Sequence, residues 1–171
     1  MAPTLVNSSL LVRLKFKLTS AIDHCTPVDD FSFERLFEIA GGTGANQGDM
    51  LWHDARTLSA SATENLDFAG SLSDAFGVTQ TFVRINIIMV FARSANTNDV
   101  QVQRASSNGL VAFMAASDGI AIPPGGMILL YFGDDATDCV VTASTGDLLT
   151  ITNSAGSTSV TYDIAVVGAT A

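Results

Sequence analysis

Turn-forming residues punctuate this chain at short intervals, and between them lie runs too brief and too rich in β-branched and aromatic residues for helices. In the second half, "TFVRINIIMVFARS", "MILLYF", "CVVTAS", "DLLTITNS" and "VTYDIAVVG" are separated by glycine, proline, asparagine and aspartate, about one turn signal every ten residues. No long amphipathic helical stripe is visible. This spacing predicts an all-β chain, an antiparallel β-sandwich of jelly-roll-like kind with at most one or two short helices, rather than alternating βαβ units. "TFVRINIIMVFARS", with few polar interruptions, is expected to be its central strand.

Several local elements follow from the same reasoning. In "LLVRLKFKLTS", Val12, Leu14, Phe16 and Leu18 alternate with Arg13, Lys15 and Lys17, the period-2 pattern of a strand with one buried face and the cations together on the other. "DDFSFERLFEIAGG" reads two ways. Phe31 and Phe33 alternate as in a strand, the preferred reading, whereas Phe33, Leu36, Phe37 and Ala40 also fit a short helix ended by Gly41 and Gly42. "MLWHDARTLSASATENLDFAG" predicts two short strands, and "SLSDAFG" one helical turn capped by Ser71 or Ser73. Val100 and Val102 alternate ahead of Asn108-Gly109, which predicts a hairpin with a type I′ turn and "LVAFMA" as its returning strand. In "IPPGGMILLYFG", Pro123 and Pro124 fix φ, Gly125 and Gly126 permit the reversal, and the turn aims a strand into the core.

With 171 residues the chain suits one domain. Residues 10–171 are expected to form a single sandwich, with 1–9 as an N-terminal arm. The opening residues have neither a cationic leader nor an unbroken apolar run, which speaks against a signal peptide or a membrane helix. A net charge of −9 with only eight Lys and Arg leaves too few cations to neutralise a nucleic-acid backbone. Cys25 and Cys139 follow no metal or redox spacing, so two reduced thiols are expected rather than a disulfide.

Candidate chemistry is sparse. His24 and His53 are the only histidines, without the His-x-His pair and glutamate of a cupin-type metal site. His53 and Asp54, as strand neighbours, point to opposite faces and make a poor base and orienting acid. "GGTG" lacks the lysine of a phosphate loop, "GDDATDC" with Asp134, Asp135 and Asp138 matches no calcium-loop spacing, and "NSS" at Asn7 matters only for a secreted glycoprotein. No catalytic residue, cofactor site or metal site is assigned. Contact surfaces are better candidates. The loop of 41–49, including Gly41, Gly42, Thr43, Gly44 and Asn46, has no apolar anchor and is expected to carry contacts. The stripe Arg13, Lys15 and Lys17 either protects an edge strand or docks on an acidic partner, and Pro123 and Pro124 offer a preformed, low-entropy surface. Trp52, the one tryptophan, is the platform that a carbohydrate-binding protein would use.

Three segments taken together, "ENLDFAGSLSDAFGVTQTFVRINIIMVFARS", "IPPGGMILLYFG" and "GDLLTITNSAGSTSVTYDIAVVGAT", resemble accessory virion proteins of tailed double-stranded DNA bacteriophages. The likeness lies in the order of a Leu-Asp-Phe segment, a central strand, a Pro-Pro-Gly-Gly lead-in and a closing Tyr-Asp-Ile strand. It implies a β-sandwich on the capsid surface, made in the host cytoplasm, that acts as a cement or decoration protein where major capsid subunits meet. It also implies a homo-oligomer, commonly a trimer, with other virion proteins as partners and no active site. A surface rich in Ser, Thr, Ala and Gly is compatible, since fixing such side chains in a lattice costs little entropy. The alternative is a carbohydrate-binding or adhesin-like sandwich of the tail or fibre contacting a host surface through Trp52. An enzyme using His53, Asp54 and the acidic turn comes third.

Overall fold

The structure is a computed structural model describing residues 5, 7–111, 114–133 and 139–170. The described residues form thirteen β-strands and no helix. Eight of the strands build two four-stranded antiparallel sheets. One contains, in order, β10 (Gly119–Ile122), β9 (Val100–Arg104), β12 (Leu148–Asn153) and β5 (Thr63–Asp67). The other contains β11 (Met127–Tyr131), β8 (Arg84–Ala92), β13 (Val160–Ala169) and β4 (Met50–Leu58). The fold is therefore a β-sandwich, and β8 is internal to its sheet, as its composition predicts.

The pairing of these eight strands is nested. The first pairs with the last (β4 with β13), the second with the seventh (β5 with β12), the third with the sixth (β8 with β11), and the two middle ones with each other (β9 with β10). Further ladders join β8 to β13 and β9 to β12. Alternate residues enter the core: Val160, Tyr162, Ile164 and Val166 of β13 are buried, as are Leu149 and Ile151 of β12. They meet Trp52, Phe68, Phe82, Ile85, Ile88 and Val90, and the rings of Phe68 and Phe82 pack edge to face at 6.0 Å. The Tyr162 hydroxyl, inside this core, donates to Glu64 Oε1 at 2.8 Å, and Arg56 Nε donates to Glu64 Oε2 at 2.8 Å. Burial first, and the carboxylate second, push the Tyr162 hydroxyl well above the ordinary tyrosine range.

The Pro-Pro-Gly-Gly tetrad carries the chain from one sheet to the other, from β10 to β11. Gly126 N donates to the Pro123 carbonyl at 2.8 Å and Gly125 has φ +78°, the geometry of a type II turn with Pro124 at its second position. Its glycines then dock on the end of β8, Gly125 N donating to Ala92 O at 2.8 Å and Ala92 N to Gly126 O at 2.9 Å. The expected turn forms and leads into a strand, but β11 is an edge strand with no buried residue, Ile128 only partly covered against the core, so the strand lies at the sheet's margin rather than inside it.

Other local expectations are corrected. The Asn108-Gly109 hairpin does not form: β9 pairs with β10 and β12, and "LVAFMA" includes 112 and 113, which lie outside the described residues. Asn108 does take a positive φ of 56°, but its carbonyl accepts from Asp147 N and Leu148 N, so the turn caps β12 instead of reversing β9. "CVVTAS" contributes isolated bridges at Val140 and Thr142 rather than a strand. "SLSDAFG" is no helical turn; β6 (Leu72–Ser73) and β7 (Thr79–Gln80) form a small hairpin, with Asp74 Oδ1 accepting from Phe76 N and Val78 N. The preference of short polar side chains for local backbone partners defeats the helix there.

The largest departure is at the start. β1 (Asn7–Thr19) and β2 (Val28–Gly41) pair over thirteen rungs as an antiparallel ribbon, joined only to the two-residue parallel strand β3 (Gln47–Gly48). The strand reading of 31–40 holds and the helix alternative fails. Of the expected arm, residues 1–4 and 6 lie outside the described residues; β1 begins at Asn7, and the first strand of the two four-stranded sheets begins at Met50. Among the described residues, the β1–β2 ribbon stands apart from the core.

Candidate functional site

Register decides which side chains share a face of the ribbon, because directly opposed residues of an antiparallel pair point the same way. Leu10, Val12, Leu14, Phe16 and Leu18 stand opposite Phe37, Arg35, Phe33, Phe31 and Asp29. That face is apolar apart from Arg35 towards the base and Asp29 towards the tip. The other face sets Arg13 opposite Glu34, Lys15 opposite Ser32 and Lys17 opposite Asp30, with Leu11 and Leu36 paired nearer the base.

The alternation therefore predicts the strand correctly but not its surroundings, because no second layer covers the apolar face. Phe16 is 63% exposed, Leu18 71% and Phe31 51%, and Leu14 and Phe33 are also exposed. Within the face, Phe16 and Phe31 stack at 6.0 Å and the Arg35 guanidinium lies 5.2 Å from the Phe33 ring centre. These contacts leave the face exposed. A lone two-stranded ribbon is marginal in water, and a contiguous apolar face of this kind is unusual on the surface of a monomer.

The ribbon's attachment to the sandwich lies at its base. Ile39 is buried, and Phe37 packs on Tyr131 with ring centres 4.6 Å apart. Asn46 bridges the two bodies: its Nδ2 donates to the Glu38 carbonyl at 3.1 Å and its Oδ1 accepts from the Tyr131 hydroxyl at 3.2 Å. Arg84, at the start of β8 and 3% exposed, donates to the carbonyls of Gly44 and Gln47 at 2.8 Å each. Asp49 closes the junction, accepting from Thr170 N at 2.9 Å while its own N–H donates to Gly168 O at 3.0 Å. Gly168 is required there, since a Cβ would sit 2.2 Å from Arg84 O. The loop of 41–49 is thus the anchor of the ribbon: Asn46 and the carbonyls of Thr43, Gly44 and Gln47 are committed to the sandwich, the Thr43 contact being the longest at 3.5 Å, while the residues Thr43, Gly44 and Ala45 stay exposed.

The other sequence candidates are dispersed. Arg13 forms an ion pair with Glu34 at 3.2 Å, and the three cations of the stripe share their face with three carboxylates, Asp30, Glu34 and Glu38. The stripe is a self-neutralised face rather than a free positive patch. Pro123 and Pro124 are exposed but sit beyond Ala92, at the far end of β8 from the ribbon, about 25 Å away for a nine-residue strand. They form no common surface with the loop of 41–49. Trp52 is corrected outright as a sugar platform: it is 2% exposed, its Nε1 donating to Ser73 O at 3.1 Å, because the inward alternation of Met50 and Trp52 on β4 takes it into the core.

His53 is exposed on β4, and Asp54 pairs with Arg56 rather than with it. His24 and Cys25 lie in the ribbon's tip, where Ile22 and Cys25 bond each other through both backbone groups; Cys139 is buried in the sandwich, and the two cysteines are not joined in a disulfide. Asp134, Asp135 and Asp138 lie outside the described residues. Among the described residues no group of three His, Cys, Asp or Glu is placed to hold a metal, and no helix is long and apolar enough to cross a membrane.

What the sequence reading missed are Asp29, Phe31, Phe33 and Arg35 as members of one face with Leu14, Phe16 and Leu18. Two strands of matching length and period, joined by the short polar segment "SAIDHCTP", were the available signal. No protein family, curated protein or solved structure matches this chain.

Proposed function

We propose that this chain is a non-enzymatic virion structural protein, a cement or decoration subunit that binds the assembled capsid of a tailed double-stranded DNA phage, and that its sandwich is a jelly roll. The observation that carries the reading is the ribbon: an apolar face on a projecting element, held at its base by buried Arg84 and Asn46, gains its stability only by reaching another subunit. The nested strand pairing supports the jelly roll, an architecture shared by viral capsid and lectin domains. The adhesin alternative loses its platform with the burial of Trp52.

The mechanism is additive burial. The sandwich rests on the major capsid protein and the ribbon engages a neighbouring subunit, so each bound copy adds interface that must be broken before the shell opens. A partner that binds only the assembled state stabilises that state by mass action. The test mixes purified protein with capsids assembled without it, then measures co-sedimentation and the temperature at which DNA is released. Binding and a higher release temperature are expected. Absence of both would sink the proposal.

A further inference from the structure

We propose that the occupant of the ribbon's apolar face is the same face of a second copy, the two ribbons packing antiparallel about a two-fold axis at the level of Ser32. This rests on the reading of the ribbon as an assembly element and specifies its partner.

The pattern of the face is self-complementary in that arrangement and in no simple parallel one. A two-fold axis lying in the interface across the strands sets β2 over β2 with its direction reversed. Residues equally far from Ser32 on either side then meet: Phe31 faces Phe33 of the other copy, Leu14 faces Phe16, and Val12 faces Leu18. The two charged residues of the face are spaced the same way. Arg35 of each copy meets Asp29 of the other, twice per pair, and neither has an ion-pair partner within its own chain among the described residues. A parallel bundle, whether of two or three ribbons, sets Arg35 at the level of Arg35 and Asp29 at the level of Asp29.

Area and long-range charge favour the same geometry. Five half-exposed side chains at about 100 Å² each give roughly 1,000 Å² over the pair, the lower bound for a specific interface. The ribbon carries four Lys and Arg against five Asp and Glu, so nearly all of the net charge of −9 resides on the sandwich. Antiparallel ribbons hold two acidic sandwiches at opposite ends of an element about 40 Å long, far beyond a Debye length of about 8 Å. A parallel bundle crowds them together. The two-fold pair departs from the trimer that the resemblance to phage proteins implies.

The test uses the full chain and two variants, Arg35→Asp and Asp29→Arg, examined by sedimentation velocity across a dilution series, with the sandwich melting transition as the check on folding. The wild type is expected to dimerise. Each variant alone sets like charges at both contacts and should dimerise at least about tenfold more weakly. Mixed together, the two variants place opposite charges at both contacts and should recover the wild-type association. Cys25 supplies an independent readout: in the antiparallel pair the two tips lie roughly 45 Å apart, so mild oxidation yields no Cys25–Cys25 cross-link.

A monomeric wild type, variants that fail to complement each other, or rapid Cys25 cross-linking within an oligomer would each overturn the pairing. These results stand apart from capsid binding. A monomer that coats capsids refutes the pairing alone, whereas a dimer that ignores capsids refutes the virion reading alone.

Discussion

Excising the outer ribbon asks whether its apolar residues serve the fold or a partner. The perturbation joins Leu11 to Leu36, which already face each other across the ribbon, through an Asn-Gly turn, so that residues 12–35 are removed and the base with Phe37 and Ile39 is kept. Were Val12, Leu14, Phe16, Leu18, Phe31 and Phe33 buried against the sandwich, their loss would remove about 1.5–3 kcal/mol each, roughly 9–18 kcal/mol together. That is comparable to the whole stability of an ordinary domain, about 5–15 kcal/mol, and the excised chain would be unfolded or barely folded.

The structure places them outside the core, with Phe16 and Leu18 among the most exposed apolar residues of the chain. Their removal should therefore change the stability of the sandwich by no more than about 0.5 kcal/mol, a shift of about 2 °C in melting temperature for a chain of this size. Calorimetry over a concentration series, extrapolated to high dilution, removes any stabilisation through a second copy. The full-length chain should melt at temperatures that rise with concentration, and the excised chain at one temperature. A drop beyond about 10 °C at high dilution, or failure to fold, would refute the claim that the ribbon is independent of the core.

Two further outcomes follow from buried polar groups. Asn153, buried at the end of β12, donates to Thr158 O at 2.7 Å and Ser59 O at 3.0 Å while accepting from Asn98 Nδ2 at 3.0 Å, tying three turns together. Asn153→Ala removes three hydrogen bonds from a buried site, worth about 1 kcal/mol each, while the Asn98 amide and the Thr158 and Ser59 carbonyls each keep another partner; it should cost about 3 kcal/mol, a fall of roughly 6–12 °C in melting temperature; a change under about 1 kcal/mol in urea unfolding would contradict the network.

Tyr162 gives a pH dependence. Its hydroxyl is raised in the folded chain above the unfolded value, so its contribution is fully present below about pH 10 and is lost as pH climbs from there towards the folded value. Unfolding free energy should fall above pH 10 by up to about 1.4 kcal/mol per pH unit more in the wild type than in Tyr162→Phe, and equal slopes for the two would be contrary to the buried hydroxyl.

Much of the local structure was legible because it depends on near neighbours. Period-2 alternation located β1 and β9, turn signals bounded β12 and β13, a run of β-branched residues marked β8 as internal, and two prolines followed by two glycines could only turn. Legibility failed where a residue's role depends on something distant. Asn108-Gly109 had hairpin chemistry, yet its carbonyl bonds Asp147 and Leu148 some forty residues on. The glycine-rich loop of 41–49 looked free because nothing near it in sequence is apolar, and it is held by Arg84 from the centre of the chain.

By itself, then, the sequence determined the class of the fold and the place of several of its strands, since alternation and turn chemistry act over a few residues. Only the tertiary structure decided the nested pairing of first strand with last, the burial of Trp52, and the isolation of the β1–β2 ribbon. The reason is physical: an alternating strand states that one of its faces wants to leave water, but what covers that face is settled by which surfaces remain once the core has closed. Here the sandwich closes with its own eight strands, and the face of Phe16, Phe31 and Phe33 is left uncovered.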